Sequence, residues 1–173
     1  MRRRKKNKNT GRTKKIALGG ILTALAMIFS YIESLIPIPL PVPGVKLGIA
    51  NIAIISVLYL LGSGQALLVN LLRITLTAVL FGNFNSFLFS MAGGILVMVI
   101  LKKSGHFSIV GVSVAGGVFH NVGQITAAVF LMDTTAIYYY LPVLLIFGIV
   151  TGIIIGLMGG YVTQRVYPVV GEE

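Results

Sequence analysis

Seven polar side chains stand in an otherwise apolar sequence at spacings that could assemble an anion-binding site: Glu33, Lys46, Asn51, Arg73, His120, Asn121 and Gln124. An arginine can hold a carboxylate or phosphate through two parallel hydrogen bonds. Lys46 adds a second positive charge, and Glu33 supplies one counter-charge. Asn70 and Arg73 are three residues apart and share a helical face. His120, Asn121 and Gln124 make one polar stripe by the same rule. Ionisable groups inside apolar spans are expensive, so each needs a partner or a purpose. A net positive, partly dry pocket favours an anionic ligand. A plainer reading stands beside this one. Glu33 would pair with Arg73 or Lys46 as a structural ion pair, Lys46 would reach out to the interface, and the amides would link helices.

Other chemistry is missing from the chain. Its four acids are Glu33, Asp133, Glu172 and Glu173. They make no aspartate-rich pair to hold Mg²⁺ on a diphosphate. No GxxxxGK[ST] loop is present, and the GSGQALL run at Gly62 lacks the lysine. There is no cysteine, neither histidine has a second histidine at ligand spacing, and no nucleophile motif occurs. The sequence therefore predicts no metal, no cofactor and no catalytic residue. It reads as neither an enzyme nor, on its own, an ATP-driven pump.

The elements that must position these residues are membrane spans. The chain is 56% hydrophobic and 10% charged, with a mean hydropathy of +0.95. A soluble domain is nearer a quarter charged, so the class is an all-α integral membrane protein, located in the cytoplasmic membrane. A span needs about 20 apolar residues. Six are predicted: Ile16–Ile36, Lys46–Leu61, Gln65–Phe81, Ser86–Leu101, Ser108–Met132 and Tyr138–Val166. Turns are expected at Gly62-Ser63-Gly64, at Gly82–Asn85, at Lys102–Gly105 and at Asp133-Thr134-Thr135, with Pro168 closing the last span. The second span is short. Before it lies Glu33 to Asn51, with Pro37, Pro39, Pro41 and Pro43 at every second position. Proline fixes φ and removes a donor, so this is a stiff extended strap.

Nine of the fourteen Lys and Arg fall in the first fifteen residues. The positive-inside rule makes 1–15 a cytoplasmic tail near anionic lipid, in preference to a nucleic-acid arm or a cleaved signal peptide. With the N-terminus inside, Lys102, Lys103 and Arg165 fall on the cytoplasmic side and Asp133 outside, which is consistent with six spans and both termini inside. The organisation is then a basic tail (1–15), a transmembrane domain (16–167) and a short C-terminal tail (168–173). In the absence of tryptophan, Tyr138, Tyr139 and Tyr140 suit an aromatic belt. Gly148, Gly152 and Gly156 recur every fourth residue and form a small-residue face. It serves packing within the chain or docking of a partner.

The run ESLIPIPLPVPGVKLGIAN from Glu33, then Arg73, HNVGQ at His120–Gln124 and YLP at Tyr140–Pro142 resemble the Gx transporter family, also labelled heptaprenyl diphosphate synthase component I. The likeness covers nearly everything after the basic tail. It implies a six-helix fold similar to the S components of energy-coupling-factor transporters, with a ligand pocket near the outer face. It also implies a transmembrane coupling subunit and two ATPases as partners, which would account for the missing ATP site. Ala17, Gly20 and Ala24 match the small residues that face such a coupling subunit. A prenyltransferase activity would need aspartate-rich Mg²⁺ sites, so the label implies at most a non-catalytic subunit of polyprenyl diphosphate synthesis.

Overall fold

A computed structural model describes residues 2–35, 48–81, 84–101 and 108–170. They form α1 (Arg2–Leu35), α2 (Asn51–Leu61), α3 (Ser63–Phe81), α4 (Phe84–Leu101), α5 (Ile109–Met132), a 3-10 helix (Thr135–Tyr140) and α6 (Leu141–Val170). No strand occurs among the described residues. Among the described residues, four segments are long and apolar enough to cross a membrane: Thr13–Leu35, Ser63–Leu80, Ile109–Met132 and Thr135–Pro168. Large apolar side chains such as Val79, Phe130 and Ile146 point outward, as a lipid-facing surface requires.

Several boundaries differ from those read in the sequence. The basic tail continues α1 without a break, because Lys and Arg are good helix formers. Gly62 alone breaks the chain between α2 and α3, at φ 92°. One left-handed glycine suffices there, and Ser63 and Gly64 already belong to α3. Tyr138–Tyr140 lie in the 3-10 helix rather than in α6. They are exposed there, as an aromatic belt requires. Pro168 does not close α6, which runs to Val170; so near the helix end, its ring forfeits a single bond, to the carbonyl of Gln164. Asp133 ends α5 in the left-handed conformation, which a short polar side chain tolerates. The proline strap, Lys46, Gly82, Asn83 and the Lys102–Gly105 turn lie outside the described residues.

α2 has 11 residues, about 16 Å at 1.5 Å per residue, roughly half of a 30 Å hydrocarbon core. Ile52 to Val57 are all buried, because neighbours surround the helix. Leu22 and Ala26 of α1, Ala53 and Val57 of α2, and Ala66 and Val69 of α3 share one core. Phe89 of α4, Ile125 and Ala128 of α5, Ile137 and Leu144 share a second. Ile52 and Ile55 meet Ile155 of α6 in a third. Helices α2 to α6 thus touch in chain order around a ring that α6 closes on α2, while α1 packs on α2 and α3. Pairs across the ring are not in extensive contact.

The α6 glycine face packs inside the chain, against α5. A Cβ at Gly148 would lie 3.1 Å from the Gly117 carbonyl oxygen. At Gly152 it would lie 2.7 Å from Val114 Cα, and at Gly156 2.7 Å from Val110 Cα. The backbones touch because nothing separates them. In lipid, where apolar burial gives little advantage, such close packing is what associates helices.

Gly152→Ala must force α5 and α6 apart, at a cost of about 1–3 kcal/mol. Gly64→Ala meets nothing within 4 Å and should gain about 0.5–1 kcal/mol from helix propensity. Thermal unfolding of the two variants in detergent, followed by helical circular dichroism, should move in opposite directions.

Candidate functional site

Arg73 is 7% exposed, deep in an apolar bundle, and its surroundings are built for it. Its Nη1 donates to Ser30 Oγ on α1 at 3.3 Å. Its Nη2 donates to Asn70 Oδ1 at 2.9 Å. The carboxylate of Glu33 acts on it electrostatically. Glu33 is 3% exposed, and it also accepts a hydrogen bond from the Gly48 backbone N–H. That bond ties the end of α1 to the chain entering α2. Gly48 has φ 84°, and a Cβ there would meet Asn51 Nδ2 at 2.9 Å. Glu33, Gly48, Asn51 and Arg73 therefore belong to one neighbourhood, while Lys46 lies outside the described residues.

The other polar stripe reaches this one through two adjacent glycines. A Cβ at Gly94 of α4 would stand 3.1 Å from Asn70 Nδ2. A Cβ at Gly93 would stand 2.5 Å from His120 Nδ1 and 2.7 Å from the His120 carbonyl. Asn70 of α3 and His120 of α5 thus rest against neighbouring residues of α4, at one level. Only glycines leave room for both.

The stripe on α5 divides by direction. Asn121 donates to the Leu144 carbonyl at 2.6 Å and so fastens α5 to α6. Val110, Val114 and Gly117 face α6 as well, while His120 and Gly123 face α4. At about 100° per residue, Gln124 falls between these two directions, toward the middle of the ring and away from exposed Phe119 and Phe130. On α3, Asn70 and Ile74 face α4 and Arg73 faces α1; Thr77 falls between them, again inward.

These inward positions hold unfilled hydrogen-bonding groups. Arg73 Nε, Thr77 Oγ1 and both amide atoms of Gln124 are buried without a partner among the described residues. Elsewhere hydroxyls close on their own helix. Thr23, Ser56, Thr126, Thr151 and Thr163 each donate to the carbonyl four residues back. Thr77 does not. Buried polar groups are nearly always satisfied, which sets these four atoms, two on α3 and two on α5, apart from the other polar groups of the bundle.

Ser30 and Thr77 were not among the expected site residues. Each lies one helical turn from a residue that was, Ser30 from Glu33 and Thr77 from Arg73, and that spacing was the available signal. Ala17, Gly20 and Ala24 form an exposed face of α1, and a Cβ at Gly20 would touch nothing. Among the described residues, no group of three His, Cys, Asp or Glu could hold a metal.

The sequence profile of the family described as heptaprenyl diphosphate synthase component I matches residues 22–162. No curated protein and no solved structure shows significant similarity.

Removing either charge of the Glu33–Arg73 pair strands the other in an apolar interior. Glu33→Ala and Arg73→Ala should each destabilise, and the double variant should lose less than their sum. Unfolding in detergent should give a coupling energy of about 0.5–3 kcal/mol. Strict additivity would mean that the two side chains do not sense each other.

Proposed function

We propose that this chain, which belongs to the heptaprenyl diphosphate synthase component I family, is a substrate-capture protein similar to an S component, holding a small anionic ligand inside its helical ring. The observation that carries the reading is buried Arg73 with its Nε, together with Thr77 Oγ1 and the Gln124 amide, without a partner among the described residues. Ser30 and Asn70 fix two nitrogens of the guanidinium and leave Nε–H to donate. A planar donor edge held in this way suits a carboxylate or phosphate oxygen.

In this reading six spans place both termini in the cytoplasm, and the pocket opens outward. Glu33 then acts as a latch, since its bond to Gly48 joins α1 to the entry of α2. The exposed Ala17, Gly20 and Ala24 face receives a coupling subunit whose ATPases supply the energy. A second reading follows the printed family description: a non-catalytic membrane subunit of polyprenyl diphosphate synthesis. It requires co-purification with a soluble prenyltransferase and altered product length on deletion.

The test is equilibrium binding to the purified protein with a panel of small carboxylates and isoprenoid phosphates. Arg73→Met should weaken the best ligand by roughly 10- to 100-fold, the value of a charge-assisted hydrogen bond. Arg165→Met should not change it, because Arg165 is exposed and stacks on Tyr161 at 5.2 Å. Binding that ignores Arg73, or no binding to any member of the panel, would remove the proposal.

A further inference from the structure

The unfilled atoms carry information about the ligand beyond its charge. Gln124 is 3% exposed, and neither its amide nitrogen nor its amide oxygen has a partner among the described residues. Among the described residues, the other two buried amides are engaged, Asn121 with the Leu144 carbonyl and Asn70 with Arg73. A carboxamide presents two N–H donors and a carbonyl acceptor side by side. Between helices, an amide with nothing to bind carries a desolvation cost that an apolar side chain of similar size would not. By helical spacing Gln124 sits on the ring-facing side of α5, while α3 bears Thr77 one turn from Arg73.

We infer that Gln124 is the specificity-determining residue of this site, and that it pairs with a ligand edge carrying an N–H donor beside a carbonyl acceptor. The inference rests on the reading above that the ring holds an anionic ligand, and it narrows that ligand to an anion joined to a lactam, an amide or a heterocyclic base. The anion meets Arg73, the donor–acceptor edge meets Gln124, and Thr77 Oγ1 is available to either. An isoprenoid phosphate fits poorly. It offers oxygen acceptors and a hydrocarbon but no N–H, so the amide oxygen of Gln124 would stay unfilled. Sites built to hydrogen-bond a polar edge reject analogues that lack it far more strongly than apolar pockets reject a missing methylene.

The test uses four probes on the full-length protein: orotate, which carries both a carboxylate and N–H/C=O edges; uracil, the edge alone; benzoate, a carboxylate alone; and geranyl diphosphate, an isoprenoid anion. Orotate should bind the wild type more tightly than the other three. Gln124→Leu should weaken orotate by roughly 10- to 100-fold and leave benzoate unchanged. Arg73→Met should weaken both. Without ligand, Gln124→Leu should melt at or above the wild-type temperature, because an unfilled buried amide has gone. A lower melting temperature would make Gln124 a structural residue and overturn the inference. So would unchanged orotate affinity in Gln124→Leu, or wild-type binding of benzoate or geranyl diphosphate as tight as that of orotate. In these cases Arg73-dependent anion binding, and with it the proposed function, would still stand. Failure of every probe to bind would remove both.

Discussion

One charged guanidinium in an apolar interior sets the terms for much of this structure. Arg73 cannot be left bare at that depth, so the helices around it supply a serine, an asparagine and a carboxylate. Each partner brings its own constraint. Asn70 turns its oxygen to Arg73, which leaves its nitrogen against α4, where Gly94 makes room. The next residue, Gly93, admits His120 and the backbone of α5. Glu33 is anchored in turn by the Gly48 N–H. The small residues of α4 and the sharp entry to α2 follow from accommodating one cation.

The second half of the bundle obeys a different rule. Apolar side chains gain little from leaving lipid for protein, so α5 and α6 associate by backbone contact along Gly148, Gly152 and Gly156. Asn121 adds a direct bond between the two helices. The pair is closely packed for this reason, with α4 on the other flank of α5. Arg73, Thr77 and Gln124 keep polar atoms without a partner among the described residues, which is the opposite of what packing alone would leave.

Much of this was legible in the sequence. The all-helical class followed from hydropathy, and the polar stripes on α3 and α5 followed from helical spacing. Gly148, Gly152 and Gly156 announced a close contact, but periodicity could not say with what; the structure gives α5. Helix ends were harder to read. Ser63 and Gly64 looked like a turn, yet one positive-φ glycine sufficed. Pro168 looked like a stop, although a proline close to a helix end forfeits only one bond. The division of labour within HNVGQ was hidden as well. Asn121 and Gln124 lie three residues apart, and only the positions of α4 and α6 show that one faces a helix and the other the ring. Thr77 escaped notice because a threonine in a helix ordinarily bonds to its own backbone.

The central claim is that the ring around Arg73 is a ligand site and not merely a satisfied ion pair. Mass spectrometry of small molecules released from the gently purified protein tests it most directly. The wild type should release a single anionic species in near-stoichiometric amount, and a folded Arg73→Met variant prepared alongside should release none of it. An empty wild-type protein, or the same species recovered equally from the variant, would contradict the account.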